Sequence, residues 1–137
     1  GVPPTANTDS EVRARSHGLG AERAPIHIFA TLGDFDGLLG HRRAIDGYAR
    51  ALEGFHPGLA GSLAAMRPDD LIVFTSDHGN DPTWRGTDHT REQTPILAFS
   101  PSLSPGTIGI RPTFADIGES IARWLGLAPG PHGKSFL

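Results

Sequence analysis

Asp77, His78 and His89 fall within a span of thirteen residues, directly after the apolar run Leu71-Ile72-Val73-Phe74. Upstream, Asp36 and His41 stand five residues apart in Asp34-Phe35-Asp36-Gly37-Leu38-Leu39-Gly40-His41. Aspartate and neutral imidazole suit Zn²⁺, Mn²⁺ or Fe²⁺, whereas Ca²⁺ and Mg²⁺ favour all-oxygen shells. Five such residues exceed what one structural ion needs. Two ions roughly 3.5–4 Å apart clamp both oxygens of an in-line phosphoryl displacement. They also offset the charge of a phosphate substrate, which a chain of net charge −3 does not attract globally. The five residues are therefore read as ligands of two divalent cations for phosphoryl transfer.

Each residue alone has a plainer reading. An aspartate followed by glycine is often just a turn, and an isolated loop histidine is usually a surface residue. The plain readings weaken together, because all five fall in two loops of the same kind. Asp34 is a competitor for the position of Asp36. Asp81 and Asp88 read as turn residues or as groups that orient ligands. His27, His56 and His132 lack acidic neighbours in suitable loops and receive no role. Ser76 beside Asp77 and His78 lacks a G-x-S-x-G elbow, so a serine triad is not supported. No nucleotide-type G-x-x-x-x-G-K-[ST] or G-x-G-x-x-G motif occurs.

These loops need a scaffold. Ile26 to Leu32 is rich in β-formers and predicts a buried strand. From Arg42 to Met66 the apolar residues Ile45, Tyr48, Ala49, Leu52, Phe55, Leu59, Leu63 and Met66 recur at helical spacing. Pro57 and Gly58 should kink or break that helix. Arg67 to Asp70 reads as a turn, Leu71 to Thr75 as a strand, and Ser76 to Gln93 as an irregular functional loop. Pro95 to Phe99 predicts another strand and Thr107 to Ile110 a short one. Thr113 is the expected N-cap of a last helix, with Asp116 in its first turn and Phe114, Ile117, Ile121 and Trp124 or Leu125 on one face. Gly126 should stop it. Strands alternating with helices indicate a layered α/β domain with a largely parallel sheet. Both ligand clusters then lie beyond the carboxyl ends of strands, where such sheets place their sites.

The 137 residues suffice for one ordinary domain, and 37% hydrophobic with 20% charged residues is a globular composition. No dense basic run exists to track a nucleic-acid backbone. No apolar run reaches bilayer length, so no membrane association is expected. There are no cysteines, which excludes disulfides and thiolate sites and fits a reducing cytoplasm. Residues 1–25 are polar and read as a linker or the remnant of a neighbouring domain, with an amphipathic stretch at 10–19. Gly1 replaces an initiator methionine, and no signal-peptide pattern follows.

The stretch Asp77-His78-Gly79-Asn80-Asp81-Pro82-Thr83, followed by Gly86-Thr87-Asp88-His89-Thr90-Arg91-Glu92, resembles the bacterial phosphopentomutases of the alkaline phosphatase superfamily. Asp34-Phe35-Asp36, Gly40-His41-Arg42, Thr113-Phe114-Ala115-Asp116-Ile117-Gly118 and the ending Gly133-Lys134-Ser135-Phe136-Leu137 extend the likeness over residues 26–137. The resemblance implies a three-layer α/β/α alkaline-phosphatase-like core with a largely parallel sheet, of which this chain is an incomplete, C-terminal part. It selects Asp36 over Asp34. It assigns Asp77 and His78 to one manganese ion, and Asp36, His41 and His89 to the other. The implied reaction interconverts ribose or 2-deoxyribose 1-phosphate with the 5-phosphate through a phosphothreonine, primed by a sugar bisphosphate. Nothing in this chain matches that threonine or the substrate-covering cap, so residues 1–25 read as the return from the cap. The chain then reads as a fragment, a truncated gene product or one half of a split enzyme completed by a separate N-terminal polypeptide, and by itself it is expected to be inactive. Leu39, Gly33 and Ala44 depart from the pattern, which has tyrosine, valine and commonly an acidic residue there. Competing readings are a related phosphatase or phosphoglycerate mutase, and a non-catalytic metal-binding half-domain.

Overall fold

A computed structural model describes residues 27–137. The chain divides into two compact units, Gly1–Pro101 and Ser102–Leu137. The expected linker at 1–25 and the amphipathic stretch at 10–19 lie outside the described residues.

In the first unit, Phe35–Gly40 forms a π-helical turn where a loop was expected. Its wide bonds run from His41 N to Asp36 O and from Ala44 N to Leu39 O, both 3.0 Å. Helix α1 follows, Ile45–Ala64. Its half-buried stripe runs through Tyr48, Ala51, Phe55, Leu59, Leu63 and, just beyond its end, Met66, a period of three to four residues. Tyr48 packs edge-on against Phe35 at 5.5 Å, and Phe55 against Phe74 at 5.7 Å. Ile45 and Leu52, expected on that face, are about half exposed. Pro57, expected to kink or break this helix, does not break it, and the helix is continuous from Ile45 to Ala64 with Pro57 inside. The half-buried stripe continues on both sides of Pro57, and that packing outweighs the missing N–H.

Strands β1, Ile72–Thr75, and β2, Ile96–Phe99, pair antiparallel, with Ile72 opposite Phe99 and Thr75 opposite Ile96. The largely parallel sheet expected from the element order is therefore not what the described residues form. The segment between the strands carries no crossover helix, and an antiparallel pair needs none. The pairing persists into the loop as an isolated bridge between Gly79 and Thr90. Residues 27–32 are not a strand, and Phe29 is 86% exposed. A single apolar run has no stable extended state until another strand pairs with it.

The second unit contains helix α2, Ala115–Trp124. Thr113 Oγ1 accepts from the Ala115 amide at 3.2 Å, one residue outside the observed N-cap, Phe114. Ile117, Ile121 and Trp124 are half-buried as expected, while Phe114 and Leu125 are exposed. Gly126, at φ +69°, ends the helix. Leu127 N donates to Ala122 O and Gly126 N to Arg123 O, which is the Schellman arrangement. The short strand expected at 107–110 does not form; Gly109 has φ +65° and Ile110 is 81% exposed. The fully buried side chains are polar: Asp116 and Ser120. Asp116 accepts from Arg111 Nε and from the Lys134 amide, each at 2.8 Å, and Ser120 Oγ accepts from the Phe136 amide at 2.9 Å. Asp116, expected only as a first-turn acid, thus ties the C-terminal tail to α2.

Candidate metal centre

The π-helical turn decides where Asp36 and His41 stand. Five residues are roughly 1.4 turns of an α-helix, which would splay the two side chains apart, but little more than one turn of the wider π-helix. His41 Nε2 accordingly lies 3.5 Å from Asp36 Oδ2. The loop between β1 and β2 brings the other candidate ligands toward the same place. His89 Nε2 lies 3.3 Å from Asp36 Oδ1, and His78 Nε2 lies 3.9 Å from that oxygen. His89 Nε2 is 3.1 Å from His41 Nε2, and its ring stacks on His78 with centroids 3.6 Å apart. Asp77 Oδ1 stands 3.5 Å from His78 Nε2, and the Asp77 side chain is 89% exposed at the rim.

Asp36, His41, His78 and His89 are therefore brought together, and Asp77 joins them only at the rim, through its neighbour His78. Donor atoms of Asp36, His78 and His89 lie within 4.8 Å of one another. His78 thus stands between the two expected ligand sets. Alongside these residues is an open depression of about 260 Å³, bordered by Asp36, Asp77, His78, Asn80 and Glu92.

The tautomers fit metal binding. His41 Nδ1 bonds to the Thr87 carbonyl, and His78 Nδ1 lies 3.1 Å from the Gly79 carbonyl. A carbonyl oxygen only accepts, so each Nδ1 carries a hydrogen, and in the neutral ring Nε2 then presents a lone pair to the cluster. Lone pairs of neutral rings converging on a carboxylate are stabilised by a cation among them or by a proton on a ring nitrogen. Neighbouring donors around an ion bound at roughly 2.0–2.2 Å lie about 3.0–3.5 Å apart. The separations of 3.1, 3.3 and 3.5 Å at Asp36, His41 and His89 match that spacing.

Asp81 and Asp88 are loop builders, as read from the sequence. Asp81 Oδ1 accepts from Thr83 N and Thr83 Oγ1, at 2.8 and 2.7 Å. The Thr83 hydroxyl, then its amide, holds the Asp81 carboxyl below the usual carboxylate range. Asp88 contributes its backbone carbonyl to Arg43. Ser76 Oγ donates to the His78 carbonyl at 2.6 Å, which occupies it as a loop tie. Sequence reasoning missed Asn80, whose amide Nδ2 donates to Asp36 Oδ1 at 3.2 Å. It also missed Gly40: a Cβ there would collide with the Asn80 side chain. The adjacency of Asn80 to the ligand motif was the one available signal.

A clustered aspartate–histidine centre on a helix and strand pair is an arrangement that metal-dependent enzymes use. Residues 21–129 match the family model described as the metalloenzyme superfamily, and the chain belongs to that superfamily. A phosphopentomutase of Rhizobium leguminosarum bv. trifolii (strain WSM2304) is 56% identical over 110 residues, 80% of this chain and 27% of the relative. Phosphopentomutases of Rhizobium etli and Sinorhizobium fredii are 57% and 56% identical over the same lengths. The chain therefore spans about a quarter of the length of the curated relatives it matches, 27%. Among the described residues, no helix is long and apolar enough to cross a membrane.

Proposed function

We propose that this chain supplies the metal-binding, C-terminal part of a phosphopentomutase core. Asp36, His41 and His89 hold one divalent cation, and Asp77 and His78 hold a second, both Mn²⁺. The observation that carries the reading is the convergence of three imidazole Nε2 atoms on the two oxygens of Asp36. The likeness to relatives named phosphopentomutase supports the reaction class. Bound cations supply positive charge for phosphate oxygens and polarise the phosphorus centre. The chain's own residues orient that charge. Asp36 bridges the histidines, the Thr87 and Gly79 carbonyls fix two imidazole tautomers, and Asn80 holds one carboxylate oxygen in place.

The reaction proposed for the whole protein interconverts ribose or 2-deoxyribose 1-phosphate with the 5-phosphate. The phosphoryl group passes through a threonine that has no counterpart here, and a sugar bisphosphate primes it. Residues 26–137 belong to a three-layer α/β/α core, and residues 1–25 lead into it from a cap. The proposed compartment is the cytoplasm.

Incubation of the whole protein with Mn²⁺, a sugar bisphosphate and ribose 1-phosphate should yield ribose 5-phosphate. Release of inorganic phosphate instead, or isomerisation of phosphoglycerate in a parallel assay, would replace this reading with a phosphatase or phosphoglycerate mutase. Elemental analysis should show Asp77→Ala and His89→Ala each losing about one metal equivalent. Unchanged stoichiometry in both variants would end the two-cation reading.

A further inference from the structure

Arg43 has no place in the proposed ligand set, yet its guanidinium bonds to the site loop at Asn80, Asp81, Gly86 and Asp88. It sits between the π-helical turn and α1 with φ +53°, the left-handed region that non-glycine residues rarely occupy. From there its guanidinium faces four acceptors. Nε donates to the Gly86 carbonyl at 2.6 Å. Nη1 donates to Asn80 Oδ1 at 2.6 Å and to the Asp81 carbonyl at 2.9 Å. Nη2 donates to the Asp88 carbonyl at 2.6 Å. A longer contact of 3.5 Å reaches the Gly40 carbonyl.

Three of these acceptors are carbonyls of an irregular loop with few ladder bonds to satisfy them. The fourth is the side chain that holds Asp36. Asn80 receives from Arg43 through Oδ1 and donates to Asp36 Oδ1 through Nδ2, at 3.2 Å. With Oδ1 committed to a guanidinium, which only donates, the amide is oriented one way round and must present its N–H to the carboxylate. Asp88 immediately precedes His89, so the same guanidinium also places the ligand at the far end of the loop.

We infer that Arg43 is a positioning residue for the metal centre. It clamps the loop that carries His78 and His89 onto the turn that carries Asp36 and His41, and it sets the orientation of Asn80 against Asp36. This rests on the proposed metal site but is tested partly apart from it. A lysine is a single point donor and does not reproduce a planar fork.

The test uses the whole protein with Arg43→Gly, Arg43→Lys and Asn80→Ala. Glycine suits the positive φ, so Arg43→Gly removes the side chain without straining the turn. In metal-free protein, amide exchange at Trp84 and Thr90, whose N–H groups bond within the loop, should accelerate about tenfold or more in Arg43→Gly. Mn²⁺ affinity by titration calorimetry should fall about 10–100-fold in Arg43→Gly and Arg43→Lys. Asn80→Ala should reproduce part of that fall, and adding it to Arg43→Gly should cost less than the sum. Unchanged exchange in Arg43→Gly overturns the clamp. Accelerated exchange with unchanged Mn²⁺ affinity reduces Arg43 to a structural tie and overturns the positioning role. If the unmodified protein binds no Mn²⁺, the metal reading itself fails, and the exchange arm still decides the clamp.

Discussion

Asp36 engages both carboxylate oxygens: Oδ2 faces His41, and Oδ1 faces His78, His89 and Asn80. Asp34, its competitor in the sequence, instead stands at the N-cap position of the π-helical turn. Asp36→Ala should weaken Mn²⁺ binding at least about 100-fold, whereas Asp34→Ala should change it less than about threefold, both read by titration calorimetry. Away from the site, Arg67 and Asp70 close the turn before β1. The Asp70 carboxylate accepts from Arg67 Nη2 and the Arg67 amide, each at 2.8 Å. The Arg67 side chain, then its amide, lowers the Asp70 pKa from its ordinary value of 3.8. A depressed carboxylate pKa adds stability that is complete above about pH 4 and is lost as pH falls through the folded-state value. Asp70→Asn should therefore be less stable than the parent at pH 7, and the gap should close as pH falls below about 4. A gap that is constant with pH in urea melts would contradict this.

At the scale of elements, local backbone geometry does much of the positioning. The π-helical turn converts a five-residue spacing into a shared side for Asp36 and His41. A regular α-helical start to α1 would part them. In the second unit two glycines with positive φ do different work. Gly126, at φ +69°, has open space where a Cβ would project, so Gly126→Ala meets only the backbone preference and should cost about 1 kcal/mol. At Gly133, φ is +80° and a Cβ would also strike the Ala115 carbonyl. That contact lies where the tail reaches Asp116, so Gly133→Ala should cost about 2–4 kcal/mol. Denaturant titration of the two variants ranks them, and equal costs would remove the tail contact from the account.

On the scale of the whole molecule, the polar centre is better assembled than the apolar packing. Among the described residues no hydrophobic side chain is fully buried, and Phe29, Leu52, Leu97 and Ile110 are half or more exposed. A chain of this size ordinarily buries a continuous core. The 137-residue chain alone should therefore bind a hydrophobic dye such as ANS and unfold with a denaturant slope below that usual for its length. It should also show no mutase turnover with Mn²⁺ and a sugar bisphosphate. A steep two-state transition without dye binding would show that the chain packs fully by itself, and turnover would show that it holds a complete active site.

The residue types at 36, 41, 77, 78 and 89 were legible in the sequence because ligand chemistry is a property of side chains. So were α1, β1, β2, the turn at 67–70 and the stop at Gly126, because periodicity and glycine backbone preference are local. Strand direction was not legible, since it depends on which strands meet; the loop from Ser76 to Gln93 returns its chain antiparallel. Nor was the state of residues 27–32, whose β-forming composition needs a partner to take effect. Arg43 was indistinguishable from Arg42 beside it, and Asp116 read as a helix-start acid. Both acquire their roles only when the fold brings carbonyls and amides from distant positions to their donors and oxygens. The proposed ligand set is thus a matter of residue type, spacing and, for Asp36 over Asp34, family resemblance. Its convergence on Asp36 is a product of the π-helical turn and of the hydrogen bonds that hold the loop against it.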